Sequence, residues 1–136
     1  MTSFTLTKHH GLGNDFVVAF QPGATDLSAL ARRLCDRRTG IGADGLLIAE
    51  SKEGYAAKML LYNADGSRAE MSGNGIRCFA QALAMRSGDL DPQRIWTDAG
   101  DRTVTLSMTD DPHTISARVE MGDVVPLSEP DGWSAL

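Results

Sequence analysis

Apolar and polar residues alternate from the start of the chain. Phe4-Thr5-Leu6-Thr7 predicts a half-buried strand, and Phe16-Val17-Val18-Ala19-Phe20 a second, more buried one. Between them, HHGLGND is predicted to turn. The period then lengthens: Leu27, Leu30, Ala31 and Leu34 fall three and four residues apart, the spacing of one helix face. Thr25 or Asp26 supplies the cap, and the helix is expected to run to about Arg38.

The glycines of GIGADG, residues 40–45, end that helix and lead into a short strand at 46–49; a turn at Gly54 precedes another from Ala56 to Tyr62. Asn63-Ala64-Asp65-Gly66 is strong turn chemistry. A second helix is predicted from near Gly73 to Gly88, because Ile76, Phe79, Ala80, Leu83 and Ala84 keep helical spacing and the closing glycine suits a C-terminus. From Arg94 onward the pattern becomes short strands at 95–97, 103–108 and 114–120, punctuated by Asp-Pro pairs at 91–92 and 111–112. The tail after Gly122, with Pro126, Pro130 and Trp133, has no period. Many strands around two helices, without regular β-α alternation, predict an α+β fold. The expected organisation is one domain over 1–122, followed by a linker or the start of a second half over 123–136.

Composition narrows the function classes. The chain has 136 residues, enough for one core, and is 42% hydrophobic and 23% charged. Its net charge of −5 and its 13 scattered basic residues exclude a nucleic-acid surface. Arg32, Arg33, Arg37 and Arg38 are read as the solvated face of the first helix. Two cysteines without a CxxC pair argue against a disulfide framework, and no apolar run is long enough to cross a bilayer. A soluble, cytoplasmic protein is expected.

Three glycine-rich loops are candidates for chemistry: GLGND at 11–15, GIGADG at 40–45 and NADGSRAEMSGNG at 63–75. The first fails as a dinucleotide fingerprint, because Phe16 replaces the third glycine and a strand follows. The third leads into a helix N-terminus, where unpaired backbone N–H groups bind anions, carboxylates included. Gly73 and Gly75 let a ligand approach the backbone; the amides of Asn63 and Asn74 offer donors and acceptors. Such a site suits an amino acid. Serine is also a preferred N-cap, so composition alone favours Ser72 as a plain cap, and Asn63 and Asp65 could be turn formers only. His9 and His10 are adjacent on a strand and point to opposite faces, and ligand spacings are missing, so no metal is expected. Cys78 is read as a buried thiol packed like a small hydrophobe.

HGLGNDF, GIGADG, NADGSRAEMSGNGIRCFA, Thr97-Asp98-Ala99-Gly100 and the closing VEMG together resemble the N-terminal half of the diaminopimelate epimerase family, over residues 4 to about 126. The resemblance implies half of a two-domain protein, each half a mixed, mostly antiparallel sheet wrapped around a central helix, with substrate between the halves. It implies cofactor-free interconversion of LL- and meso-diaminopimelate, for lysine and peptidoglycan synthesis, by a homodimer. One cysteine from each half faces the α-carbon, one taking a proton and the other delivering one. Matched position by position, Asn14, Asn63, Gly73 and Asn74 correspond to substrate contacts and Ser72 to the first catalytic cysteine. Gly45 falls where some members carry a substrate-touching glutamine.

That resemblance leaves two departures. A serine hydroxyl is a far weaker acid than a thiol, and the half bearing the other cysteine lies outside these residues. The expectation is a chain inactive alone and impaired by Ser72. Two other readings share the scaffold: a proline racemase-like dehydratase or one-base enzyme, and a half-domain that acts by binding or pairing.

Overall fold

The computed structural model describes residues 4–120. The expected linker over 123–136, and the Met121-Gly122 that closes VEMG, lie outside the described residues.

Strand β1 (Thr5–Gly11) pairs with β2 (Asn14–Phe20) in an antiparallel hairpin. The turn expected over HHGLGND is therefore confined to Leu12 and Gly13, both at positive φ as a two-residue hairpin turn requires. His9 and His10 extend the strand alternation instead of breaking it: His9 is buried and His10 exposed.

Helix α1 (Leu27–Cys35) starts at Asp26, whose Oδ1 accepts the Ala29 N–H at 3.0 Å. It stops three residues short of the expected Arg38. Asp36 turns to extended backbone, and its carboxylate accepts the N–H groups of Arg38 and Thr39, a local alternative to the helical ladder. All four arginines are exposed, but only Arg32 and Arg33 lie on the helix; Arg37 and Arg38 belong to the turn after it.

The chain continues through β3 (Gly45–Glu50), β4 (Ala57–Asn63), a two-residue β5 (Arg68–Ala69), α2 (Gly73–Ser87), β6 (Gln93–Thr97), β7 (Gly100–Met108) and β8 (Ile115–Glu120). Gly88 closes α2 in the left-handed conformation, its N–H on the Ala84 carbonyl. The sheet runs β1-β2-β3-β4-β6-β7-β8, with β5 on the side of β4. The β2–β3 and β4–β6 pairs are parallel and the others antiparallel, giving the mixed, mostly antiparallel α+β sheet that was expected.

Each face of the sheet has its own core, set by alternation along β2. Phe16, Val18 and Phe20 face α2, and Val17 and Ala19 face α1. Helix α2 is the central one, touching both edge strands, β1 and β8, as well as the strands between. Ile76 and Phe79 on α2 are fully buried, and each such side chain contributes about 1.5–3 kcal/mol of transfer free energy. Cys78 is buried in the same cluster, packed as a small hydrophobe.

Candidate active site

Ser72 stands just before α2 with extended backbone, and its Oγ accepts the Gly75 N–H at 2.9 Å. The Ser72 carbonyl accepts the Ile76 N–H. With those two amides satisfied, the N–H groups of Gly73 and Asn74 have no partner among the described residues. They form the positive end of the helix dipole, open to a carboxylate.

The hairpin turn between β1 and β2 brings Asn14 to this point. Asn74 Nδ2 donates to Asn14 Oδ1 at 2.8 Å, and Asn14 Nδ2 donates to Asp44 Oδ2 at 3.2 Å. Asp44 precedes β3, whose first residue, Gly45, lies beside both Phe16 of β2 and Asn63 of β4. One end of the sheet thus gathers Asn14, Asp44, Asn63 and the start of α2. Asn63 is the outlier. Its Nδ2 donates to Ser67 Oγ at 3.0 Å, closing the 63–67 turn with help from Asp65, and it makes no bond to Asn14 or Asn74.

Gly45 has little room for a side chain. A Cβ there would stand 3.0 Å from both Phe16 Cε1 and the Tyr62 carbonyl oxygen, so a larger residue at this position would force its neighbours to shift. Its neighbour Asp44 bonds Asn14 at this end of the sheet.

An ion cluster lies behind Asn14. Arg37 Nη1 and Nη2 donate to Asp15 Oδ2 and Oδ1 at 3.0 and 2.8 Å, and Nη2 also donates to Asp44 Oδ1 at 3.1 Å. The Arg37 guanidinium holds the Asp15 carboxyl well below the usual carboxylate range. Asp15, Arg37 and Asp44 were not singled out by pattern, although both acids sit inside glycine-rich loops that were. The signal available was an aspartate at the last polar position of each loop, next to a strand of apolar residues.

Burial pushes the Cys35 and Cys78 thiols up to about 11, so both are neutral thiols near pH 7. The His9 ring is occupied by Gln81 Oε1 at 2.6 Å and Thr7 Oγ1 at 2.8 Å. Among the described residues no group of three His, Cys, Asp or Glu converges as a metal site, and no helix is long and apolar enough to cross a membrane.

Comparison with known proteins places these loops. The sequence matches the diaminopimelate epimerase family over residues 6–127. The chain belongs to that family. It is 42% identical to a diaminopimelate epimerase of Desulfitobacterium hafniense over 91% of this chain and 46% of the relative. To that of Methanocella arvoryzae it is 39% identical over 96% of this chain and 47% of the relative. The chain spans about half the length of the curated relatives it matches. All residues gathered at the N-terminus of α2 fall inside the matched span.

The fold extends beyond the diaminopimelate epimerases. A hydroxyproline epimerase from Agrobacterium vitis, solved with trans-4-hydroxy-L-proline, aligns with a TM-score of 0.62 at 15% identity, over 79% of this chain and 38% of that one. A Bacillus anthracis phenazine biosynthesis protein of the PhzF family aligns with a TM-score of 0.59 at 18% identity, over 79% of this chain and 35% of that one.

Proposed function

We propose that this chain is the N-terminal half of a cofactor-independent diaminopimelate epimerase, working as a homodimer in full-length form and supplying half of the substrate site. The observation that carries this reading is the conjunction at α2. Two N–H groups unpaired among the described residues, a hydrogen-bonded pair of asparagines and the Ser72 hydroxyl meet at the start of one helix, within the span matched to the family.

The chemistry follows from the acidity of an α-hydrogen beside a carboxylate. Removing it builds negative charge on the carboxylate, so donors fixed in advance at that position lower the barrier. The N–H groups of Gly73 and Asn74 take the carboxylate, and the asparagine amides, with Asn63 across the sheet end, take the ammonium and polar edges.

Ser72 stands where the family's motif carries a cysteine. A serine serves as a base only when a neighbour takes its proton. Among the described residues no carboxylate or imidazole bonds the Ser72 hydroxyl; its one partner is the Gly75 N–H, a donor. The hydroxyl can give its proton but has no assistance in taking one. Ser72 thus impairs epimerisation, and the full reaction needs the second half.

The likeness to a hydroxyproline epimerase, at 15% identity, carries the fold alone and does not favour a proline-type substrate. The test is substrate screening with the full-length protein carrying Ser72→Cys in heavy water. Deuterium entering the α-carbon of diaminopimelate, and not of proline or 3-hydroxyproline, is expected. Exchange confined to the cyclic amino acids, or water loss from 3-hydroxyproline, would overturn the reading.

A further inference from the structure

The Asp15, Arg37 and Asp44 cluster has no part in the chemistry just described, yet it touches the site at one point, Asn14. Asp44 uses both carboxylate oxygens. Oδ1 accepts from Arg37 Nη2 at 3.1 Å; Oδ2 accepts from Asn14 Nδ2 at 3.2 Å and from the Asp15 N–H at 3.1 Å. The Asp44 N–H in turn donates to the Asp15 carbonyl oxygen at 2.9 Å and to Asp15 Oδ1 at 3.0 Å. The two aspartates are laced together reciprocally, with Arg37 across both carboxylates.

A carboxylate accepts hydrogen bonds and donates none. A primary amide has a donor end and an acceptor end of nearly the same shape, so two facing asparagines by themselves bond equally well in either sense. Asp44 removes that degeneracy. Its oxygen requires the NH2 of Asn14, which turns the Asn14 oxygen towards Asn74. That oxygen requires the NH2 of Asn74. The Asn74 side-chain oxygen is left without a protein partner among the described residues, on the same first turn of α2 as the N–H groups of Gly73 and Asn74.

We infer that Asp44, clamped by Arg37, is a positioning residue that fixes the direction of the Asn14–Asn74 amide chain, so that Asn74 offers an acceptor to the substrate's ammonium group while the helix N-terminus offers donors to its carboxylate. This rests on the proposed amino-acid substrate for the identity of the ligand, but not for the orientation itself. Arg37 contributes by holding Asp44 in place. With the amides reversed, an NH2 group would meet the ammonium, and a donor would face a donor.

The test uses full-length protein labelled with nitrogen-15 on its asparagine side chains, with Asp44→Asn as the near-isosteric variant and Arg37→Lys as a second variant that keeps the charge. Without ligand, the unaltered protein is expected to give one sharp NH2 pair each for Asn14 and Asn74. In Asp44→Asn those two residues split or broaden, while other asparagine signals and the melting temperature change little; Arg37→Lys shifts the same two signals by less. Diaminopimelate affinity in Asp44→Asn is expected to fall about tenfold, equivalent to about 1.4 kcal/mol. Unchanged Asn14 and Asn74 signals in both variants would overturn the orienting role. Changed signals with unchanged diaminopimelate affinity would uphold the orientation and count against diaminopimelate as the ligand.

Discussion

Asn74 donates to the Asn14 side-chain oxygen across 2.8 Å, tying the first turn of α2 to the start of β2 over a separation of 60 residues. Asn14 faces Asp44 on its other side, so its chemistry is constrained from both directions. Replacing it by Asn14→Asp keeps an acceptor for Asn74 but sets a carboxylate against Asp44 in place of a donor. Stability should fall by about 1–3 kcal/mol near pH 7, the range for an unsatisfied polar contact. The loss should shrink on acidification, as one of the two carboxyls takes a proton. Urea unfolding of the variant and parent at pH 7 and pH 4 reads this directly.

Ser72 has a structural task at the start of α2, because its Oγ satisfies the Gly75 N–H. Ser72→Ala should cost about 1 kcal/mol, and Ser72→Gly only a few tenths. Denaturant midpoints of the two variants check this ordering.

Gly45 is held by close approach. A Cβ 3.0 Å from Phe16 Cε1 and from the Tyr62 carbonyl oxygen forces the Phe16 ring or the β3–β4 ladder to shift. Gly45→Ala should destabilise by about 1–3 kcal/mol, as overpacking does. Thermal unfolding of the variant, with the folded amide spectrum centred on β2 and β3, tests both the size and the place of the effect.

His9 gives stability a pH dependence. Burial lowers its pKa from 6.5, against the raising effect of the Gln81 bond, and exposed His10 beside it adds a lowering contribution. The folded state therefore binds its proton less readily than the unfolded state, and stability rises with pH wherever the unfolded chain carries more protons. The contribution of His9 is full above pH 6.5, is lost as pH falls from there to the lowered folded value, and levels off below it. His9→Gln should flatten this part of the stability profile. The difference between parent and variant unfolding free energies from pH 8 to pH 5 isolates the effect from the carboxylates.

Much of this could be read along the chain, and the parts that could not have physical causes. Helix α2 was legible to its ends because Ser72, the spacing from Ile76 to Ala84 and Gly88 all agree. Helix α1 was overrun because Leu34 and the arginines continue a helical pattern, whereas Asp36 diverts the backbone through its own side chain. HHGLGND looked like a turn by composition, yet an edge strand tolerates the polar residues that extend β1. Two-residue β5 is too short to carry a period. At the candidate site, resemblance pointed to Ser72, Gly73, Asn74, Asn14 and Asn63, but a contact between residues 14 and 74 leaves no local trace, and Arg37 looked like one more surface charge. Only the fold shows that Arg37 and Asp44 stand behind the asparagines.

The central claim is that Ser72 occupies a proton-transfer position and not merely a cap. The most direct measurement is deuterium incorporation at the α-carbon of diaminopimelate by full-length protein, with and without Ser72→Cys. The account predicts that the substitution raises exchange by about 10²–10⁴-fold, the span of general acid–base catalysis. Equal exchange rates for the two proteins would contradict it.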